Sequence, residues 1–520
     1  MMYVSSVILI LGLVLSAARP VLGAGSKSED IPLDSWVYDA VFELSSGGEF
    51  SALLLHTRPY TRGEVADGLS SILADEPQLT AGRRFLVERL KKEFAEELYA
   101  GETTSGGDHE YVRLGAGPTA RVDQFRQGYA KNRAGFDAVG SFGVGEGFSS
   151  RVRVRFDSDG RQDTQFHGVY WPRDSLAGMR FTAWVEQAVT SFRHRRFRAA
   201  FGREYWRWGR SPVDVLLLSD HSPPFDGLRV GFRASKWSYA FHATALDRMM
   251  TAQGVSNRYL VAHRLNWRPR RNLELAFSEV MVYGGVNRPW EWNYLNPILP
   301  YYWEQLNNGI NDNPLWNLEF SWRPRRGIEF YGEFMVDDFQ VDFKSEPQQV
   351  GFSSGLAWSG LAASRLFINM EYERVNTLVY GQDYPHNRYV HFSDFLHQEA
   401  IGIGSDLGTD ADRITFRPRW HQSAFLDFTG LLEVVRNGED RIDYPQSTPE
   451  PKGVKFPSGV VQNRLTAGLG GHLQAGGNLI LDVSTGYQHV TNAGNKPGVD
   501  LAGVFFRARL VALIWKTYGV

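Results

Sequence analysis

The spacing of apolar residues changes near residue 110 of this chain. Before that point, apolar side chains recur every three or four residues, which is typical of amphipathic helices. The stripes predict one helix over Ser35–Leu44, a second after the capping box of Thr61 and Glu64, and a third from about Ala81. From Tyr111 onward, apolar and polar residues alternate as they do in β-strands. The pattern therefore predicts a small helical bundle followed by a large β region.

The alternation is strictest where three arginines share one face of a predicted strand. Arg151, Arg153 and Arg155 fall on one side, and Val152 and its apolar partners fall on the other. In a soluble sandwich the apolar side would face a core, whereas in a membrane barrel it faces lipid and the arginines line a wet lumen. Other strand-like stretches are Phe197–Gly202, Leu273–Val282, Ile328–Val336, Leu366–Tyr372 and Gly503–Ile514.

A basic, proline-containing motif occurs three times between strand-like stretches. It occupies Asn266–Asn272, Ser321–Gly327 and, more loosely, Thr415–Trp420. Proline cannot donate to a strand ladder, so each copy predicts a turn. Tryptophan suits a membrane interface and arginine suits the water beside it. We therefore expect short periplasmic turns at these motifs and an extracellular loop over Asp440–Gln462.

The first residues carry an export signal. Val4–Ala18 is almost wholly apolar, and the small residues Gly23 and Ala24 suit signal peptidase. This run is shorter than the ~20 residues that span a bilayer, although an uncleaved anchor is the alternative. Since no later run approaches that length, a membrane location requires a closed barrel. The expected division is a signal peptide at 1–24, a helical domain and linker at 25–108, and a barrel at 109–520.

Composition narrows the functional classes. A net charge of -2 argues against a nucleic-acid partner. The aromatic content of 13% suits the interface girdles of a membrane barrel. A tryptophan-rich soluble β protein would share this composition. The absence of cysteine excludes thiolate chemistry and cysteine-ligated zinc or iron–sulfur clusters. The 13 histidines lack metal-ligand spacing, so neither a metal nor a cofactor is expected.

Two long segments carry a resemblance to a known family. One is FGREYWRWG at 201–209, continuing through LLLSDHSPPFDGL to Leu228, and the other is NPILPYYWEQL at 296–306, followed by EFMVDD at 333–338. With the helical front end, they resemble the capsule-assembly Wzi-like family of outer-membrane proteins. The resemblance implies a mainly β fold, a large antiparallel transmembrane β-barrel of about 18 strands, with a helical bundle at its periplasmic end. It also implies a lectin-like role for capsular or extracellular polysaccharide at the outer membrane.

The helical front end has a second resemblance. The stretch SWVYDAVFELSSGGEF and the later RPYTRGEVADGL resemble S-layer-homology modules, which often bind cell-wall polymers. Peptidoglycan or another envelope component is therefore one expected partner of this domain. The alternative is a folded plug or periplasmic cap for the barrel.

A polysaccharide site needs aromatic faces for sugar rings and arginine for acidic groups. Two clusters in the sequence supply such residues. The first is Arg203, Glu204, Tyr205, Trp206, Arg207 and Trp208, and the second is Trp290, Trp292, Tyr301, Tyr302, Trp303 and Glu304. Aromatic clusters of this kind also form interface girdles or pack loops.

The expected lumen charges are Arg151, Arg153, Arg155, Glu333 and Asp337. Glu333 and Asp337 share a strand face, which would allow paired-carboxylate chemistry, but charge balance with lumen arginines is the favoured role. We therefore expect a non-enzymatic, monomeric binding protein in contact with outer-membrane lipid. A porin or transport channel is the alternative.

Overall fold

The computed structural model describes most of the chain. The described ranges are 27–50, 53–75, 79–98, 110–125, 129–158, 175–176, 179–180, 182–338, 348–361, 365–392, 400–443, 455–475 and 479–519. The expected signal peptide at 1–24 and the glycine-rich part of the linker, 101–108, lie outside these ranges.

Three helices form the N-terminal bundle, as the apolar stripes predicted. They are α1 (Val37–Ser46), α2 (Arg62–Asp75) and α3 (Ala81–Glu93). The capping box before α2 is confirmed, because the Thr61 N–H donates to Glu64 at 2.9 Å and the Glu64 N–H donates to the Thr61 hydroxyl at 3.2 Å. The buried core of the bundle includes Val41, Leu44, Val65, Leu69, Leu86, Leu90 and Phe94.

A closed antiparallel β-barrel follows the bundle, which confirms the predicted fold class. The first nine strands are β1 (Glu110–Phe125), β2 (Tyr129–Val144), β3 (Phe148–Asp157), β4 (Thr182–His194), β5 (Phe197–Glu204), β6 (Phe225–Arg233), β7 (Trp237–Thr251), β8 (Gly254–Arg270) and β9 (Leu273–Val286). The others are β10 (Asn313–Arg325), β11 (Ile328–Asp338), β12 (Gln349–Leu361), β13 (Leu366–Val375), β14 (Ala411–His421), β15 (Leu426–Asn437), β16 (Gln462–Ala475), β17 (Leu479–Thr491) and β18 (Leu501–Ala512, continued by Ile514–Gly519).

The barrel closes where β18 pairs with β1, and this seam is irregular. Val511 pairs with Thr119, but after Leu513 the pairing resumes at Ile514 with Ala116. The register is the same on both sides of this gap, where a Cβ on Gly117 would lie 1.7 Å from the Ala512 carbonyl oxygen. Only glycine therefore allows the two backbones to approach closely enough to close the sheet.

The two faces of the barrel wall differ in chemistry, in line with the predicted alternation. Arg153 and Arg155 are buried on the inward face, whereas Val152 is exposed on the outward face. Many large apolar side chains are likewise exposed outward: Phe136, Phe142, Phe201, Leu265, Phe277, Leu318, Phe320, Phe334, Ile414, Leu432, Leu469 and Phe506. A barrel with an apolar outer face and a polar interior matches a transmembrane β-barrel.

The proline motifs lie at breaks in strand pairing. At Pro269 and Pro324 the ladder to the next strand skips and resumes one residue out of register, and a tight turn follows. The third prediction was wrong, because Pro418 lies within β14, which runs on to His421. There the pairing with β15 omits residues 417 and 418 and then resumes in the same register, so the strand tolerates a residue that cannot donate.

Short turns join the strands at one end of the barrel, and most of the longer connections lie at the other, which places the short-turn end in the periplasm. The helical bundle closes that end: the His421 imidazole lies 2.8 Å from Glu43, and Arg151 donates to Glu29 at 2.7 Å. Arg83 of α3 is buried against Ser359 beside a short turn. Among the described residues, no helix is long and apolar enough to cross a bilayer.

At the opposite end, the loop 205–224 folds into the lumen. We call it the inward loop. Its Trp208 and Arg207 pair as a two-residue strand with Thr57 and Arg58 of the helical domain, so the two inserts meet inside the barrel.

We expect Gly117→Ala to impair barrel closure, because its Cβ would clash with the Ala512 carbonyl across the seam. The matched control is Gly140→Ala, where the new Cβ would lie at an ordinary 3.5 Å from Val152. The fraction of folded barrel is measured by the shift in unheated gel electrophoresis. The control should fold as the parent does, and equal folding of both variants would contradict the role of the seam.

The helical domain should loosen at acid pH. Burial raises the pKa of Glu64, but the guanidinium groups of Arg198 and Arg233 lower it to about 2. A carboxylate with a depressed pKa stabilises the fold above its unfolded value of 4.5, and this contribution disappears as the pH falls towards 2. We expect up to roughly 3 kcal/mol to be lost in that window.

The measurement is thermal loss of helical circular dichroism between pH 6 and pH 2. Glu64→Gln should be less stable near neutral pH and should flatten this part of the pH dependence. A variant with the parent's pH profile would assign the acid sensitivity to other carboxylates.

Candidate functional site

The first aromatic cluster lies on the end of β5 and in the inward loop. Trp206 and Trp208 have no exposed surface, and Trp206 stacks on Phe225 with ring centroids 4.5 Å apart. Both indoles contact His242 of β7. The expectation that these two tryptophans stack on a sugar needs correction, because their faces are already covered by the barrel core.

The charged members of this cluster are also paired. Arg203 faces outward and binds Asp226 of β6 at 2.8 Å and 2.5 Å. Glu204 faces inward, where it accepts from Arg229 at 3.1 Å and from the Trp206 indole at 3.2 Å. The remaining two members make buried contacts: the Tyr205 hydroxyl with Glu186, and Arg207 with Asp220. The structure does not bring this set together on one open surface.

Arg210 ties the two lumen inserts to the wall. Its guanidinium donates twice to Glu329 of β11, each at 2.7 Å, and also to the Ser45 hydroxyl of α1 at 2.7 Å. The Gly209 N–H donates to the His56 carbonyl at 2.8 Å. These contacts are buried, so the inward loop and the helical domain form one packed unit.

Two lumen acids hold the inserted loops through backbone groups. Glu333 accepts from the Leu216 N–H of the inward loop at 3.1 Å. Asp337 accepts from the Tyr380 N–H of a second loop, 376–410, at 2.5 Å. They share a strand face, as predicted, but each binds a different loop. Their arrangement is that of structural anchors.

The three predicted lumen arginines contact the helical domain and the wall. Arg151 binds Glu29, and Arg153 binds Asp34 at 2.9 Å. Arg153 and Arg155 also share Asp137 and Glu186, with distances between 2.6 Å and 3.3 Å. The strictly alternating strand therefore supplies two arginines, Arg151 and Arg153, that pair with carboxylates of the helical domain.

The second aromatic cluster lies on the outside of the barrel wall. The segment 287–312, which we call the outer-wall segment, contains helix α4 (Tyr301–Asn308). Its Tyr294 and Tyr301 are buried with the outward-facing Phe241, Tyr259, Val261, Met281 and Tyr283 of β7, β8 and β9. The inward neighbours of those residues, such as Leu260 and Val282, belong to the lumen core instead.

The start of α4 binds a carboxylate of the wall. The N–H groups of Tyr301 and Tyr302 both donate to Glu279 at 2.9 Å. Glu304, on the same helix, accepts from the Asn293 amide at 2.9 Å. Three tryptophans of this segment keep accessible surface: Trp290, Trp292 and Trp303.

The described parts of three loops interlock over the mouth of the barrel, and we call these parts the cap: 376–392 with 400–410, 438–443 with 455–461, and 492–500. Asp410 accepts from the Ser458 N–H at 3.0 Å and from the Thr377 hydroxyl at 3.2 Å. The Asn495 amide donates to the Val460 carbonyl at 2.8 Å. The described parts of the cap therefore form one connected layer.

Tyr384 is the exposed aromatic residue of the cap that sequence reasoning missed. Its side chain is 52% exposed, and its ring stacks on His386 with centroids 5.6 Å apart. The available signal was an aromatic residue in the polar, proline-containing stretch GQDYPHNRY. That signal is weaker than the tryptophan clusters, and only the fold places Tyr384 at the mouth.

A polar cavity remains between the helical bundle and the strands β14 to β18. It has a volume of about 390 Å³ and is lined by residues that include Trp36, Asp39, Arg89, Arg419 and Arg509. An adjoining cavity of about 270 Å³ shares Asp39 and Arg419. Two of its arginines are paired, since Arg419 binds Asp39 at 2.6 Å and Arg509 lies 3.6 Å from Asp34. These pairs leave a polar space enclosed below by the bundle.

Comparisons with known proteins identify relatives of this architecture. The family model described as capsule assembly protein Wzi matches residues 118–501. A solved structure of Wzi, an outer-membrane protein involved in group 1 capsule assembly in Escherichia coli and described as a carbohydrate-binding β-barrel, has a TM-score of 0.60. It shares 18% sequence identity, and the match covers 94% of this chain and 99% of that one.

More distant structures include OccD3 of Pseudomonas aeruginosa, with a TM-score of 0.45, 10% identity, and coverage of 79% of this chain and 91% of that one. OccAB4 of Acinetobacter baumannii also has a TM-score of 0.45, with 8% identity and coverage of 79% and 99%. Comparison with curated protein sequences finds no match.

Arg210→Ala should release the packing of the lumen inserts. It would leave Glu329 and the Ser45 hydroxyl buried without their cation, at a cost of about 3–5 kcal/mol. We expect a lower midpoint for loss of helical circular dichroism and flickering current in planar bilayers, where the parent passes little.

The matched control is the double variant Arg210→Met with Glu329→Leu, which removes both charges. It should recover most of the lost stability, because no buried charge is left unpaired. A single variant with the parent's stability and conductance would contradict the bridging role of Arg210.

Proposed function

This chain belongs to the Wzi capsule assembly family, and from that premise we propose that it is a lectin-like barrel that binds and organises capsular or extracellular polysaccharide at the cell surface. It is an outer-membrane barrel, whose apolar outer face suits lipid. The observation that carries the proposal is the family match over residues 118–501. The barrel exposes its cap, rather than its lumen, to an external polymer.

The arrangement of the two lumen inserts favours binding of polysaccharide at the cell surface over its transport through the barrel. The helical bundle closes the periplasmic end, and the inward loop occupies the lumen above it. A long polymer can then contact the cap, while the described inserts fill the centre of the lumen below it. The matched family is a capsule assembly family and not an enzyme family, and we infer a binding role without turnover.

Tyr384 is the residue of the cap best suited to begin a sugar contact. Sugar rings present C–H faces that pack on aromatic side chains, and their hydroxyls need nearby polar groups. The Tyr384 ring stacks on the His386 imidazole on one side and keeps the rest of its surface exposed. Asp383 is exposed beside it, and Arg441 is exposed on the neighbouring loop. That loop is joined to the first by the Leu378 N–H, which donates to Asp440 at 2.7 Å.

The remaining partners follow from this placement. The protein would act as a monomer in outer-membrane lipid. The helical domain would face the periplasm, where contact with peptidoglycan or another envelope component stays a prediction. Its ion pairs with the barrel favour the role of a plug.

Tyr384→Ala should weaken binding of purified, detergent-solubilised protein to the cell's own exported polysaccharide. Loss of one aromatic stack is worth about 1 kcal/mol, or about fivefold in Kd. Tyr384→Phe keeps the ring and should bind nearly as the parent does. Trp292→Ala, which alters an exposed aromatic residue on the outer wall, is the matched control and should leave binding unchanged.

The same variants can be compared in cells that lack the chromosomal gene. Deletion should release polysaccharide into the medium, and the parent chain should restore the cell-attached fraction. Unchanged attachment in the deletion strain would overturn the proposed function. A different result would be that the parent chain restores attachment but Trp292→Ala, and not Tyr384→Ala, weakens polysaccharide binding. That result would place the site on the outer wall instead of the cap.

A further inference from the structure

The outer-wall segment descends along the outside of the barrel instead of projecting above it. The Tyr239 hydroxyl near the periplasmic end of β7 contacts the Pro297 carbonyl. The start of α4 contacts Glu279, the seventh of 14 residues in β9. A loop that joins strand ends at the mouth is therefore folded back over the middle of its own wall.

The depth of this contact can be compared with the lipid-facing belt. Leu273, the first residue of β9, pairs with the outward-facing Trp322, which marks the inner aromatic girdle. Glu279 lies six residues farther along the strand. At about 3.3 Å per residue and a tilt of about 40°, this is about 15 Å above the girdle, within a belt about 25 Å tall.

At that depth a bare carboxylate on the outer wall would face hydrocarbon. Glu279 is covered instead by α4, and it also contacts the His263 imidazole at 3.0 Å and the Trp316 indole at 2.9 Å. The two N–H groups at the start of α4 complete its hydrogen bonds. The segment thus shields a polar group that the membrane would otherwise penalise.

The outer surface of the segment carries several large apolar side chains, with the exposed amides of Asn296, Asn307 and Asn308 among them. Trp292, Ile298 and Trp303 are 87%, 80% and 61% exposed, and Leu306 is exposed next to them. The strand beside it exposes Leu318 and Phe320 on the same side of the wall. Tyr302 of the segment packs against Trp316 of that strand, with ring centroids 5.0 Å apart, so the two apolar surfaces adjoin.

We propose that the outer-wall segment is embedded in the outer leaflet and that lipid acyl chains pack on its exposed apolar side chains. The second aromatic cluster, which the sequence suggested for sugar, is thereby assigned to lipid. Two observations favour lipid as the partner that covers the segment: the depth of Glu279 and the contact with the apolar strand belt. This proposal does not depend on the polysaccharide site on the cap.

Single spin labels can test this, because the chain contains no cysteine. Trp303→Cys and Ile298→Cys alter exposed side chains and should fold, which the unheated gel shift verifies. The labelled proteins are placed in lipid bilayers, and collision with oxygen is compared with collision with a water-soluble nickel chelate. Phe320→Cys serves as the lipid reference and Tyr384→Cys as the aqueous reference.

Labels at 303 and 298 should behave like the label at 320, with strong oxygen collision and at least several-fold less chelate collision than at 384. Chelate access equal to that at 384 would overturn the proposal and leave the segment in water. Dipolar broadening between labels of two chains would also overturn it, since the occupant would then be a second copy. The Trp303→Cys and Ile298→Cys variants should keep the parent's polysaccharide binding, so failure here and failure of the cap site are distinguishable.

Discussion

Closure of the sheet through the pairing of β18 with β1 is the constraint on which the molecule depends. In a bilayer, every backbone N–H and C=O of the wall needs a partner within the protein. The seam stays in one register across the gap in pairing at Leu513, because Gly117 has no Cβ to block the Ala512 carbonyl. Once closed, the wall fixes which side chains face lipid and which face the lumen.

A barrel of this circumference encloses more space than wall side chains can fill. The chain fills it with two inserts, the helical bundle and the inward loop, that meet at Arg210, Thr57 and Trp208. The lumen charges therefore act mainly as anchors. Glu333 and Asp337 bind loop backbones, and Arg153 binds both the wall and the bundle. The polar cavity beside β14 to β18 is what this packing leaves over.

The aromatic residues divide into three roles according to what surrounds them. Trp206 and Trp208 pack the inside, where burial is complete. Trp292 and Trp303 lie on the outside wall, on a segment held by Glu279. Tyr384 is exposed at the mouth on a connected layer of loops, where an external polymer would arrive. The same residue types thus occupy the core, the outer wall and the mouth, and their position decides which role we propose for each.

Local patterns in the sequence determined the capping box at Thr61 and Glu64, the helices of the bundle and the inward placement of Arg151, Arg153 and Arg155, because these depend on near neighbours. The sequence also carried the family resemblance and hence the barrel. The turn predicted at Pro418 was wrong, because a strand can contain proline where its ladder lacks the hydrogen bond that the missing N–H would donate. The burial of Trp206 and the position of the segment around Trp303 were decided only by the tertiary structure. A loop's direction depends on contacts with strands far along the chain, and those contacts leave no periodic signal in the loop itself.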